Sequence, residues 1–253
     1  MKRSIVFANR KGGCGKTTTA VNVAAAFAHM GHRVLLVDTD PQAHSTMSLG
    51  VEQGMLQADL TAVLRGEISP RNALRPTYAP RLTILPASRR LAAYERTHAS
   101  DRHARGRLRE VLEDLQEEFE ILCFDTPPTS GLLTVQALVA GREAYVPMQA
   151  HFLAMEGMIE IVDVVEQVRK HYNRELSIKG IIPTFVGRTK EISQQIIEEV
   201  EEELGEGIFL RPVRINDALA EAPGFGKTVF QYDIRSKGAL DYYRVAQEIL
   251  DRR

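Results

Sequence analysis

SIVFANRKGGCGKTTTAVNVAAAFAHM, residues 4–30, decides the fold. The run Ser4 to Ala8 is short, apolar and β-branched, and reads as a strand. Glycines and Lys16-Thr17 lead from it into an alanine-rich stretch, Thr18 to Met30, that reads as a helix stopping at Gly31. Strand, glycine loop and helix in this order are the setting in which G-x-x-x-x-G-K-[ST] holds phosphate, and KGGCGKT, residues 11–17, is a shortened, lysine-headed version of it. Glycines are needed because backbone N–H groups must curl around phosphate oxygens, where a Cβ would obstruct. The start of the helix adds unpaired amides and a dipole. Lys16 would then place a point charge at the β- and γ-phosphates, and Thr17 a hydroxyl on Mg2+. A dinucleotide fingerprint is excluded, since Gly13-Cys14-Gly15 runs into Lys16, Thr17 and Thr18 rather than completing G-x-G-x-x-G.

Working outward, RVLLV (33–37) is a fully apolar strand ending at Asp38, and ILCF (121–124) is another ending at Asp125. Further strands are expected at Leu82 to Leu85, Ala144 to Pro147, Ile178 to Ile182 and Ile208 to Leu210. Helices are expected at Arg105 to Phe119, Ala154 to His171, Ile192 to Leu204 and Ser236 to Leu250. This alternation predicts an α/β fold, a single-domain, mostly parallel twisted sheet over residues 1–253 with helices on both faces. Ligands then belong at the carboxyl ends of the strands, where Asp38, Asp40 and Asp125 offer hard oxygens suited to Mg2+ and to positioning water.

Composition sets limits. A chain of 253 residues suits one large α/β domain, and a formal net charge of -1 requires any attraction to nucleic acid to come from a local patch. No apolar run approaches the roughly 20 residues needed to span a bilayer, and the N-terminus has no signal-peptide pattern. Cys14 and Cys123, in a glycine loop and an apolar strand, form neither a disulfide framework nor a paired metal knuckle, which predicts a reducing cytoplasm. Seven arginines between Ser88 and Arg109 read as a solvated helix face and connector, with a polyanion surface as the alternative.

Beyond the loop itself, VLLVDTDPQAHST, ILCFDTPPTSGLLTVQAL, VPMQAHFLAMEGM and EAPGFGKTVFQYDIRSKGA follow in order. Together these segments resemble the ParA/Soj branch of the ParA/MinD deviant Walker A P-loop ATPases over nearly the whole chain. The resemblance implies a slow, Mg2+-dependent ATP hydrolase that forms a sandwich homodimer on ATP. Lys11 would reach the partner's phosphates, Lys16 the chain's own, and Asp40 would orient the attacking water. Gly12, Gly13, Cys14, Gly15, Thr17 and Thr18 would cradle the nucleotide, Glu156 would lie near it, and Thr17, Asp38 and Asp125 would support magnesium.

The resemblance further implies that the ATP dimer binds double-stranded DNA of the nucleoid without sequence preference, through Arg188 and Arg214. A ParB-like or cargo-adaptor partner would stimulate hydrolysis, and the cargo would be a chromosome, a plasmid or a protein body. Cys14 stands where these ATPases commonly carry valine, and a thiol beside a helix N-terminus raises the question of redox control. The chain opens directly on its first strand, which predicts no N-terminal helix-turn-helix domain. The rival reading, a MinD-like ATPase on a membrane surface, needs a C-terminal amphipathic helix with lysines opposite large apolar residues. The segment from Tyr242 to Arg253 instead shows a core-facing stripe, which predicts no membrane partner.

Overall fold

A computed structural model describes residues 2–52, 54, 56, 58–115, 117–149, 154–187 and 194–252. Strands β1 (Arg3–Phe7), β2 (Val34–Asp38), β3 (Arg75–Pro76), β4 (Leu82–Leu85), β5 (Ile121–Asp125), β6 (Glu143–Gln149) and β7 (Ser177–Thr184) form one sheet in the order β3-β4-β2-β5-β1-β6-β7. All neighbouring pairs are parallel except the short edge pair β3–β4. The helices are α1 (Lys16–His29), α2 (His44–Ser48), α3 (Leu60–Leu64), α4 (Pro70–Ala73), α5 (Arg90–His98) and α6 (Arg107–Leu112). They continue as α7 (Leu132–Ala140), α8 (Ala154–His171), α9 (Gln194–Leu204), α10 (Asp217–Glu221), α11 (Val229–Tyr232) and α12 (Lys237–Asp251).

The period of two along each strand sorts the core into two layers. Val6, Leu35, Val37, Leu122 and Phe124 face the helices α3, α5, α6, α7 and α8, while Ile5, Phe7, Val34, Leu36 and Cys123 face α1 and α12. On that second side the alanines of α1 let the helix lie close to the sheet, and Ala20 to Ala28 is continuously buried. Tyr242, Val245 and Ile249 of α12 pack on α1, each burial stabilising by about 2 kcal/mol, and Tyr242 Oη meets Thr19 Oγ1 at 3.1 Å. The apolar stripe of the C-terminal helix is therefore spent in the core. Among the described residues, no helix is long and apolar enough to cross a membrane.

Two expectations are corrected, and one helix was not foreseen. The helix expected from Arg105 to Phe119 is a 3-10 turn (His103–Gly106), then α6, then a second 3-10 turn (Glu113–Leu115). The Ile208 to Leu210 segment is no continuous strand: it runs parallel to the edge of β7 with isolated bridges, Phe209 to Ile181 and Arg214 to Val186, and Pro212 between them has no amide to give a ladder. The arginine-rich stretch read as a helix face and connector carries α5, whereas α7 fills a stretch for which no helix was expected.

Candidate nucleotide site

Parallel register assembles the site. Phe7 is paired with Asp125, and Asp125 with Asp38, so three neighbouring strands end at one level and deliver the glycine loop and two carboxylates side by side. The crossover from β1 runs to β2 on one side and that from its neighbour β6 runs to β7 on the other, which opens a crevice at the carboxyl edge.

Within the loop, Gly13 (φ 74) and Gly15 (φ 83) adopt left-handed backbone that any other L-residue would take at a cost. Lys16, at the first position of α1, is buried, and its Nζ donates to the Lys11 carbonyl at 2.9 Å and lies 3.7 Å from Cys14 Sγ. The loop is thus wrapped around the ammonium that phosphate would otherwise meet. Three strand-end side chains fix its backbone. Asn9 accepts from the Lys11 amide (2.9 Å) and donates to the Pro147 carbonyl (2.8 Å). Gln149 Nε2 donates to the Gly13 carbonyl at 2.9 Å, and buried Thr184 Oγ1 donates to the Cys14 carbonyl at 2.8 Å. None of these three was expected from the sequence: Gln149 and Thr184 are lone polar residues far along the chain from the loop, and Asn9, two residues before Lys11, shows its role only through its bond to the Pro147 carbonyl on β6.

Asp38 is fully buried. Its Oδ2 accepts from the Thr46 amide (2.9 Å) and hydroxyl (2.7 Å), and its Oδ1 from the Asp40 amide (3.0 Å). Asp125, equally buried, accepts from Ser45 Oγ at 2.7 Å, while its Oδ1 has no partner among the described residues. A buried carboxylate oxygen left open beside Thr17 suits a hard cation. Burial pushes the Asp38 carboxyl well above the ordinary range, and the neighbouring Asp125 adds to it. Asp125 is also raised by burial, with the Ser45 and Thr17 hydroxyls opposing the shift. Two buried carboxylates without a counter-cation resist ionising together. Asp40 sits just past β2, 6% exposed, where its Oδ1 accepts from the Gln42 amide at 2.8 Å.

The remaining expected residues are distributed as follows. Gly12 and Gly13 are exposed at the loop's crest, and Lys11, Thr17 and Thr18 are half-buried around it. Cys14 is fully buried, and burial pushes its thiol up against the opposing pull of Lys16, which suppresses the thiolate. Arg214 lies away from the loop in an ion pair with Asp241. Arg188 and the side chain of Glu156 lie outside the described residues.

A glycine loop at a strand end, a buried lysine opening the next helix and two aspartates at adjacent strand ends define a P-loop nucleotide-binding protein. The family described as an AAA domain matches residues 2–178. The sporulation initiation inhibitor protein Soj of Bacillus subtilis is 34% identical over 249 residues, covering 98% of each chain. The chromosome-partitioning ATPase Soj of Thermus thermophilus is 39% identical over 253 residues, covering 99% of this chain and 96% of that one. Among solved structures, cobyrinic acid a,c-diamide synthase from Mycobacterium smegmatis with bound ADP and magnesium superposes with a TM-score of 0.85 at 30% identity, covering 99% of this chain and 94% of that one. The chain belongs to the ParA/Soj-type partition ATPases of the ParA/MinD family.

Proposed function

We propose that the chain is a positioning ATPase that dimerises on Mg2+–ATP, binds duplex DNA as that dimer, and is reset by hydrolysis that a ParB-like or cargo-adaptor partner stimulates. The observation that carries the reading is the loop held around buried Lys16 beside the open Asp125 oxygen. The donor set fits magnesium: Thr17 and Asp125, with Asp38 behind them, would hold the ion together with nucleotide oxygens. When bound, magnesium neutralises charge on the β- and γ-phosphates.

The chain's own groups do the rest. Loop amides from Gly12 to Lys16 cradle the phosphates, and Lys16 exchanges the Lys11 carbonyl for a phosphate oxygen. Asp40, its second oxygen free of the Gln42 amide bond, orients and accepts a proton from water. Lys11 contributes to the partner's nucleotide, which makes turnover depend on dimerisation. DNA contact falls to Arg188 and Arg214. Two weak basic patches on one face of a dimer contact more phosphates than either does alone, so binding follows ATP.

The test is duplex binding across a salt series with ATP and with ADP, for wild type and Asp40→Ala. Asp40→Ala should bind ATP, turn over at least about 100-fold more slowly and accumulate as a DNA-bound dimer. Binding that ignores nucleotide state, or wild-type turnover in Asp40→Ala, would overturn the reading.

A further inference from the structure

At the amino ends of the strands, on the opposite edge of the sheet from the glycine loop, lies a cavity of about 260 Å3. Leu112, Leu122, Phe124 and Val139, all buried, make the apolar part of its floor beside half-buried Arg3 and buried Asn173, while its mouth is lined by exposed charged side chains. Two of the mouth's cations are already satisfied, Lys2 by Glu117 at 2.6 Å and Arg142 by Glu175 at 2.9 Å. Arg109 at the mouth has no partner among the described residues, and Glu113 is the one acid beside it in the same condition.

The positive charge continues past the mouth. Arg105 lies over the Tyr172 ring, 5.3 Å from its centre, and donates to its hydroxyl, which ties the segment before α6 to the end of α8. That end carries Lys170 and Arg174, exposed and without partners among the described residues, in a shallow hollow where Arg169 is already paired with Glu166 at 2.8 Å. Of the four cations that line the cavity, Lys2, Arg3 and Arg142 are paired, so the uncompensated charge on this side is Arg109, with Glu113 beside it, together with Lys170 and Arg174 at the end of α8.

We propose that this face docks an acidic segment of a partner protein, which seats one large apolar side chain in the cavity and lays its carboxylates along Arg109, Lys170 and Arg174. Charge complementarity selects an anionic occupant. A free small carboxylate would be neutralised by Arg109 alone and would leave Lys170 and Arg174 unused. Duplex DNA would match the cations but presents sugars and phosphates, with no apolar group to fill the floor. An acidic peptide with an apolar anchor uses both features.

Fluorescence anisotropy on the full chain tests this, with a fluorescein-labelled acidic decapeptide carrying a central Leu-Phe and a control in which Ser-Ser replaces it. The Leu-Phe peptide should bind roughly tenfold more tightly than the control. Arg109→Glu and Lys170→Glu, both at exposed positions, should each weaken it by about tenfold while leaving ATP turnover unchanged. Ala140→Phe, which fills the cavity from its wall, should remove the difference between the two peptides. No binding, equal binding of both peptides, or binding untouched by the two charge reversals overturns the proposal. Displacement of the peptide by a 20-base-pair duplex whose own binding needs Arg109 and Lys170 also overturns it, by making the surface a nucleic-acid site.

Discussion

Arg214→Ala should cost the protein about 1–3 kcal/mol of stability, although sequence alone presents Arg214 as a surface cation free to contact DNA. The Arg214 amide and Nε both donate to Asp241 Oδ2, at 3.1 and 2.9 Å, and Nη2 donates to Oδ1 at 2.5 Å. The Asp241 side chain is 5% exposed while that of Arg214 is 42% exposed, so truncation strips a buried carboxylate of its counter-charge. Removing one partner of a fully buried pair costs about 3–5 kcal/mol. Water reaching the exposed side of this guanidinium screens the pair and reduces the figure. Arg214→Glu should cost more, since it sets a second carboxylate against Asp241. Urea denaturation of wild type, Arg214→Ala, Asp241→Ala and the double variant closes a thermodynamic cycle, with an expected coupling of about 1–2 kcal/mol. A single-variant loss and a coupling both below about 0.5 kcal/mol would refute the assignment. The consequence for function is direct: weaker duplex binding by an Arg214 variant reports on DNA contact only when its denaturation midpoint matches the wild type.

Two further predictions concern the nucleotide site. Thr184→Val keeps the side chain's shape but leaves the Cys14 carbonyl without its donor, so ATP affinity should fall about tenfold by isothermal titration, and a change under twofold would show that β7 does not hold the loop. Asp38 and Asp125 are raised above their unfolded values, so the nucleotide-free fold holds protons that the unfolded chain has released; stability is fully present below about pH 4 and is lost as pH rises toward the raised values. The urea midpoint of the nucleotide-free protein should therefore decline between about pH 5 and 8, less steeply in Asp38→Asn, and a flat or rising wild-type profile would contradict the buried pair.

How much of this was legible in the sequence follows from the range of each interaction. The strand–loop–helix unit, β2 and β5 are specified by contiguous residues, so periodicity and glycine placement exposed them, together with Asp38 and Asp125 at their ends. Helix α7, LLTVQALVA, is apolar on nearly every side because it is sandwiched in the core, and a helix without a polar face gives no amphipathic signal. Helix α5 was legible only as a charged helix face without bounds, because it buries only Leu91 and Tyr94 among charged neighbours. The same distinction separates the visible half of the site from the hidden half. Lys16 and Thr17 lie in a local motif, whereas Asn9, Gln149 and Thr184 matter because strand adjacency brings β1, β6 and β7 to one loop. Arg214 and Asp241 meet across a β7-edge bridge and α12, a closure no local pattern encodes. Motif chemistry is thus written locally, while the groups that hold the motif still are written in the topology. Substitution at Thr184 should consequently lower nucleotide affinity, and substitution at Asp241 stability, without altering the identity of any residue of the motif.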